Sequence, residues 1–129
     1  MDFSRLFLSF GAVGGGLAVA LGAIAAHGLR GRLDVAAMHA FETGVTYQFF
    51  HSIALCALGL WCRQLVRAPA LGDAAVLAGF AFLIGILCFS GSLYALALGA
   101  PRWLGPVTPL GGLAFIGGWT CLAWSVWRN

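Results

Sequence analysis

The sequence contains no lysine and only 11 charged residues among 129, whereas about a quarter of a soluble globular domain is charged. Water is therefore not the solvent of most of this chain. Disorder is excluded as well, because it needs low hydrophobicity and high net charge, and hydrophobic residues make up 61%. The seven basic residues are all arginine, scattered singly or in pairs rather than gathered into a stripe, so no nucleic acid is expected as a partner. The net charge of +3 reads as membrane-flanking charge. No acidic residue lies deep in an apolar stretch, which argues against proton translocation. There is no Cys-x-x-Cys or His-x-x-x-His spacing, and neither a metal nor any other cofactor is expected. Without a Gly-x-Ser-x-Gly elbow, nucleophilic catalysis lacks a carrier, and the chain is not read as an enzyme. Cys56, Cys62, Cys88 and Cys121 sit in or beside apolar stretches and are read as small packing residues, not a disulfide framework.

What is present is apolar length. The charged residues leave four uncharged stretches, 6–29, 43–62, 74–101 and 103–127, of 24, 20, 28 and 25 residues. Each can cross a hydrocarbon core about 30 Å thick, which takes roughly 20 helical residues. Every backbone group in lipid must be satisfied within the protein, which favours helices. The expected fold is thus all-α: one transmembrane domain over 1–129, an antiparallel four-helix bundle with spans near 6–29, 43–62, 74–99 and 106–127. The apolar run Leu6 to Ala26 superficially resembles a secretory signal, but its 21 residues exceed the usual 7 to 15 of such a core. It is read as a retained span.

Between spans one and two, Asp34 is a plausible N-cap, and Leu33, Ala37 and Phe41 share a face. A short interfacial helix leading into span two is expected there. Gly99, Pro101, Gly105 and Pro106 break the chain between spans three and four. Arg5, Arg63, Arg67 and Arg128 fall on one side, and Arg30, Arg32 and Arg102 on the other. The positive-inside rule then puts both termini in the cytoplasm. Trp61, Trp103, Trp124 and Trp127 lie near span ends as interface anchors, and Trp119 alone falls mid-span.

Nineteen glycines suit close helix approach in lipid. Gly14, Ala18, Gly22 and Ala26 form one small column on span one, and Ala12, Gly16 and Ala20 a second beside it, which predicts a broad packed face. Gly91, Gly111 and Gly112 are expected to pack in spans three and four. These columns serve packing within the bundle or association between protomers.

Polar residues inside spans are costly unless they face the bundle interior or water. At 1.5 Å per residue, Gln48 lies about 9 Å and His51 about 13 Å along the helix from Glu42, and Tyr94 lies about 12 Å from Arg102. Ser90, Ser92, Thr108 and the near-surface His27 fall in the same leaflet. Tyr47, Gln48 and His51 share a helix face, whereas His39 beside Glu42 is read as solvated. Two readings stand: a polar pocket in which His51 and Gln48 face Tyr94, Ser92 and Thr108, or a hydrogen-bonded seam that fixes helix register.

Four motifs stand in order along the chain: Gly22-Ala-Ile-Ala-Ala-His27-Gly28, Phe41-Glu-Thr-Gly-Val-Thr-Tyr47-Gln48-Phe-Phe-His51, Phe89-Ser-Gly-Ser-Leu-Tyr94, and Thr108-Pro109-Leu-Gly111-Gly112 followed by Gly117-Gly-Trp119. Together they resemble the small four-span YgdD-like family, domain of unknown function 423, over nearly the whole chain. Ala25, where many members have glycine, and Ser52, where alanine is usual, are mild departures. The resemblance implies a multi-pass protein of the bacterial inner membrane and no settled activity. The leading functional reading is a structural or accessory membrane subunit, in contact with lipid, as a homo-oligomer or within a larger complex. The alternative is a lipid-, quinone- or small-molecule-binding protein, followed by a transporter or channel.

Overall fold

The computed structural model describes residues 2–65 and 72–127; Arg67 and Arg128 of the charge comparison lie outside them. Helix α1 (Phe3–Ile24) runs on into a π-helical turn, Ala25–Leu29. Helix α2 spans Val35–Leu65. The third span comprises α3 (Gly72–Gly85), a π-helical turn at Ile86–Ser90, and α4 (Gly91–Ala97). A 3-10 turn at Arg102–Leu104 precedes α5 (Val107–Trp127). Four helices, Phe3–Leu29, Val35–Gln64, Asp73–Ala97 and Arg102–Trp127, are long and apolar enough to cross a membrane.

Helix ends follow local chemistry. Asp2 caps α1, accepting from the Ser4 and Arg5 backbone N–H groups. The Ser4 hydroxyl, first among its partners, holds the Asp2 carboxyl below the usual carboxylate range against the opposing effect of desolvation. Asp34 accepts the Ala37 N–H at 2.7 Å and starts α2. The segment after Asp34 is helical, and it is continuous with span two, because no proline intervenes and Gly44 sits inside a packed contact. Gly31 and Gly99 have φ of +82° and +96°, a conformation costly for residues with a Cβ. At Gly99 the bonds Gly99 N–H to Leu96 O and Ala100 N–H to Ala95 O close a Schellman-type end. Asp34→Ala should cost about 0.5–2 kcal/mol. Amide exchange at Val35 to Met38 should quicken, and unchanged protection there would show that the cap carries nothing.

Neighbours in sequence pack antiparallel. Gly11 of α1 faces Cys56 and Ser52 of α2, while Gly59 of α2 faces Ser4 and Leu8 of α1. Gly118 of α5 faces Phe82 and Ala78 of α3, and Gly111 faces Phe89. The main core gathers Phe7, Leu55, Leu58, Ala75, Ala78, Phe82 and Phe115. A second, at the end where both described connectors lie, gathers Ala25, Phe41 and Ala97. In lipid such contacts stabilise through van der Waals packing rather than water exclusion, so glycine positions decide where helices touch.

The small columns divide. Ala18 is buried, Gly14 meets Ser52, and a Cβ on Gly22 would lie 3.5 Å from Val45; Ala26 is half-buried. The second column, Ala12, Gly16 and Ala20, is exposed. The packed face of α1 is therefore narrower than its sequence suggests, because α2 alone covers it along its length. Gly111 packs most tightly of the expected glycines, Gly112 makes ordinary contact with the Phe89 ring, and Gly91 has nothing within 4 Å. Gly91 thus borders open space instead of a neighbouring helix.

Candidate functional site

Gln48 stands at a junction of three spans. Its Nε2 donates to the Gly14 carbonyl of α1 at 2.8 Å, and its Oε1 accepts from the Tyr94 hydroxyl of α4 at 2.7 Å. The side chain is 5% exposed. Two features place it: Gly14 lets the α1 backbone come within reach, and Gly44, one turn before Gln48, admits the Tyr94 ring, since a Cβ there would lie 2.7 Å from it. Phe41 holds the other side of that ring, with centroids 4.8 Å apart.

His51 turns toward α5 instead. The Trp119 indole N–H donates to its Nε2 at 3.1 Å, and its Nδ1 lies 2.7 Å from the Tyr47 carbonyl. An indole N–H can only donate, so Nε2 accepts and Nδ1 carries the proton that goes to Tyr47 O. Both ring nitrogens of the neutral imidazole are thereby engaged. Phe115 stacks on the ring with centroids 3.5 Å apart, and Phe82 lies at 5.5 Å. Tyr47 is half-exposed, its ring packed on Phe89 at 4.6 Å.

A third group joins α4 to the start of α5, where the Ser92 and Thr108 hydroxyls are 2.6 Å apart and Ser92 also donates to Phe89 O. Among the described residues, the hydroxyl of buried Ser90, at the end of the π turn, has no hydrogen-bond partner, and neither has the Ser52 hydroxyl beside Gly14. His27 is exposed in the first π turn, and its side chain bonds to none of the described residues. The expected residues are therefore not one assembly. Gln48 meets Tyr94, Ser92 meets Thr108, His51 goes to Trp119, and His27 and Ser90 join none of them.

Trp119 and the Gly14 carbonyl were absent from the sequence-derived cluster. A signal for Trp119 existed: a tryptophan far from the interface needs a partner for its N–H. The carbonyl carried none, since backbone groups look alike in sequence. On the other half of the bundle, Thr120 and Ser125 hydroxyls bond carbonyls of their own helix, Ile116 and Leu122. The side-chain bonds of Gln48, Tyr94, Ser92 and Thr108 between helices lie in the connector-side half and that of His51 in the middle, while a 4.0 Å thiol contact from Cys56 to Leu8 O lies beyond them. No group of three or more His, Cys, Asp or Glu among the described residues could hold a metal ion.

Fold and composition define a small integral membrane protein of four α-helical spans with a helix-bridging polar seam. The family described as "Protein of unknown function (DUF423)" matches residues 21–112, and the chain belongs to this family. It is 43% identical over 123 residues to a UPF0382 membrane protein of Haemophilus influenzae, covering 95% of this chain and 94% of that one. It is 38% identical over 115 residues to the UPF0382 membrane protein YwdK of Bacillus subtilis, covering 89% and 90%. The UPF0382 inner membrane protein YgdD of Escherichia coli is 37% identical over 119 residues, covering 92% and 87%. No solved structure matches.

Proposed function

We propose that the protein is a non-enzymatic structural or accessory subunit of the bacterial inner membrane, with both termini cytoplasmic, acting as a homo-oligomer or within a larger membrane complex. The observation that carries this reading is the engagement of Gln48 and His51: both bond across helices, and both His51 ring nitrogens are occupied. Side chains tied in this way hold register. They are not poised for proton transfer or nucleophilic attack, each of which needs a group in reach of a substrate. The described segments between helices, 30–34 and 98–106, are short. Inner-membrane placement is supported by the name of the E. coli relative.

Native mass analysis of the protein extracted with its own lipid in polymer nanodiscs tests this. The expected result is a mass above one chain, from further copies or other subunits, falling toward the single chain in His51→Ala. A lone monomer under every mild extraction would overturn the reading.

A further inference from the structure

Between α1 and the third span lies a cleft of about 440 Å³, within the ~300–1,000 Å³ of small-molecule sites. At one end the two helices are clasped, with Phe3 and Phe7 edge-on to Phe80 at 5.7 and 5.6 Å and Phe7 seated on Gly79. Beyond that clasp they part. Phe10 and Leu17 of α1 and Leu87 of the third span wall the gap and keep more than half of their surfaces exposed. The cleft therefore opens sideways, toward lipid rather than water.

Its chemistry is uneven along its length. Gln48 and Tyr94 lie at the connector-side end, while Leu83 is eleven residues, or roughly 16 Å of helix, toward the bilayer centre from Tyr94. The Gln48 amide has two N–H groups; one goes to Gly14 O, and its oxygen is taken by Tyr94. The second N–H has no protein acceptor among the described residues and lies where water is scarce. Among the described residues, no charged side chain borders the cleft. A phosphate or carboxylate head brought about 9 Å below the level of Glu42 would stay unneutralised, at high cost. The head that fits is uncharged and carries an oxygen acceptor, and what fits the walls is hydrocarbon.

We propose that this cleft binds one neutral, single-chain lipid, its carbonyl or hydroxyl oxygen accepting the spare N–H of Gln48 beside Tyr94 and its chain lying toward Leu83 and Phe10. An isoprenoid-type quinone and a monoacylglycerol both carry that chemistry. The inference does not depend on the accessory-subunit reading.

Gly91 supplies the test. It borders the cleft, and a Cβ there would meet nothing within 4 Å, so Gly91→Leu fills the space without striking backbone and gains helix propensity. Gly117 of α5 is equally open but is not among the residues that line the cleft, which makes Gly117→Leu the control. Val13→Trp, from the exposed rim, is a second filling variant. Each protein is reconstituted in phosphatidylcholine nanodiscs doped with decyl-benzoquinone or with monoolein, washed, and its bound amphiphile counted by mass spectrometry. Wild type and Gly117→Leu should retain close to one equivalent of one amphiphile, which identifies the source. Both filling variants should retain at least tenfold less while melting within a few degrees of wild type. Wild-type-like retention in either folded filling variant, or retention by the wild type of phosphatidylcholine alone or of neither amphiphile, would overturn the proposal.

Discussion

Gly111→Leu should destabilise the bundle by about 3 kcal/mol or more, at the upper end of overpacking penalties, and lower its melting temperature in detergent more than any other glycine substitution on α5. A Cβ at this position would lie 2.3 Å from the Phe89 backbone nitrogen and 2.8 Å from its Cα. Backbone cannot rotate away as a flexible side chain can. The Phe89 ring is itself held, 4.6 Å from Tyr47 and 5.6 Å from Phe115 by centroid. To accommodate leucine, α5 must back away from the third span, and the Ser92–Thr108 bond nearby then lengthens. Neighbours on the same helix calibrate the effect. At Gly112 a Cβ would make ordinary contact, 3.7 Å from the Phe89 ring, and at Gly117 it would meet nothing. Gly112→Ala and Gly117→Ala should stay within about 0.5 kcal/mol, as substitutions away from special features do. A Gly111→Leu protein that melts with these two would show that α5 does not approach Phe89 so closely.

The second large effect lies at the three-span junction. Gln48→Leu removes both interhelical bonds and leaves the Tyr94 hydroxyl without its acceptor. Hydrogen bonds between membrane helices average about 0.6 kcal/mol and reach about 1.7, so the substitution should cost about 1–3 kcal/mol in an unfolding titration. Tyr94→Phe removes one of the two bonds and keeps the ring against Phe41 and Gly44. The double-mutant cycle should return a coupling of about 0.6–1.7 kcal/mol. A coupling near zero would mean that the amide and the phenol contribute independently, and the junction would then be packing with incidental polarity.

The depth of each polar side chain along its helix is legible in the sequence, but the wiring between them is not. Residue type and helical rise are enough to group Gln48, His51, Ser92, Tyr94 and Thr108 in one leaflet, because depth depends only on distance along the chain. Which of them touch is a different matter. Rotation about each helix axis decides it, and the π turn at Ile86–Ser90 shifts the phase of everything after it by about one residue, roughly 100°. A straight helix would send Tyr94 to another face. His51 was grouped by spacing with Gln48, yet these neighbours reach opposite partners, Gln48 to α1 and α4 and His51 to α5. Likewise Ala12 and Gly14 look equivalent as small residues on one helix. Only contact shows that Gly14 meets Ser52 while Ala12 faces outward.

The amino-acid order alone determined that this is a helical membrane protein of four spans and how far along its helix each polar group lies, since those follow from the scarcity of charge and the rise per residue. The pairing of those groups, the narrowness of the packed face on α1, and the cleft between α1 and the third span were decided by tertiary structure. Helix phase, close approach at glycine and the parting of two helices arise between segments distant in sequence, and no local pattern records them.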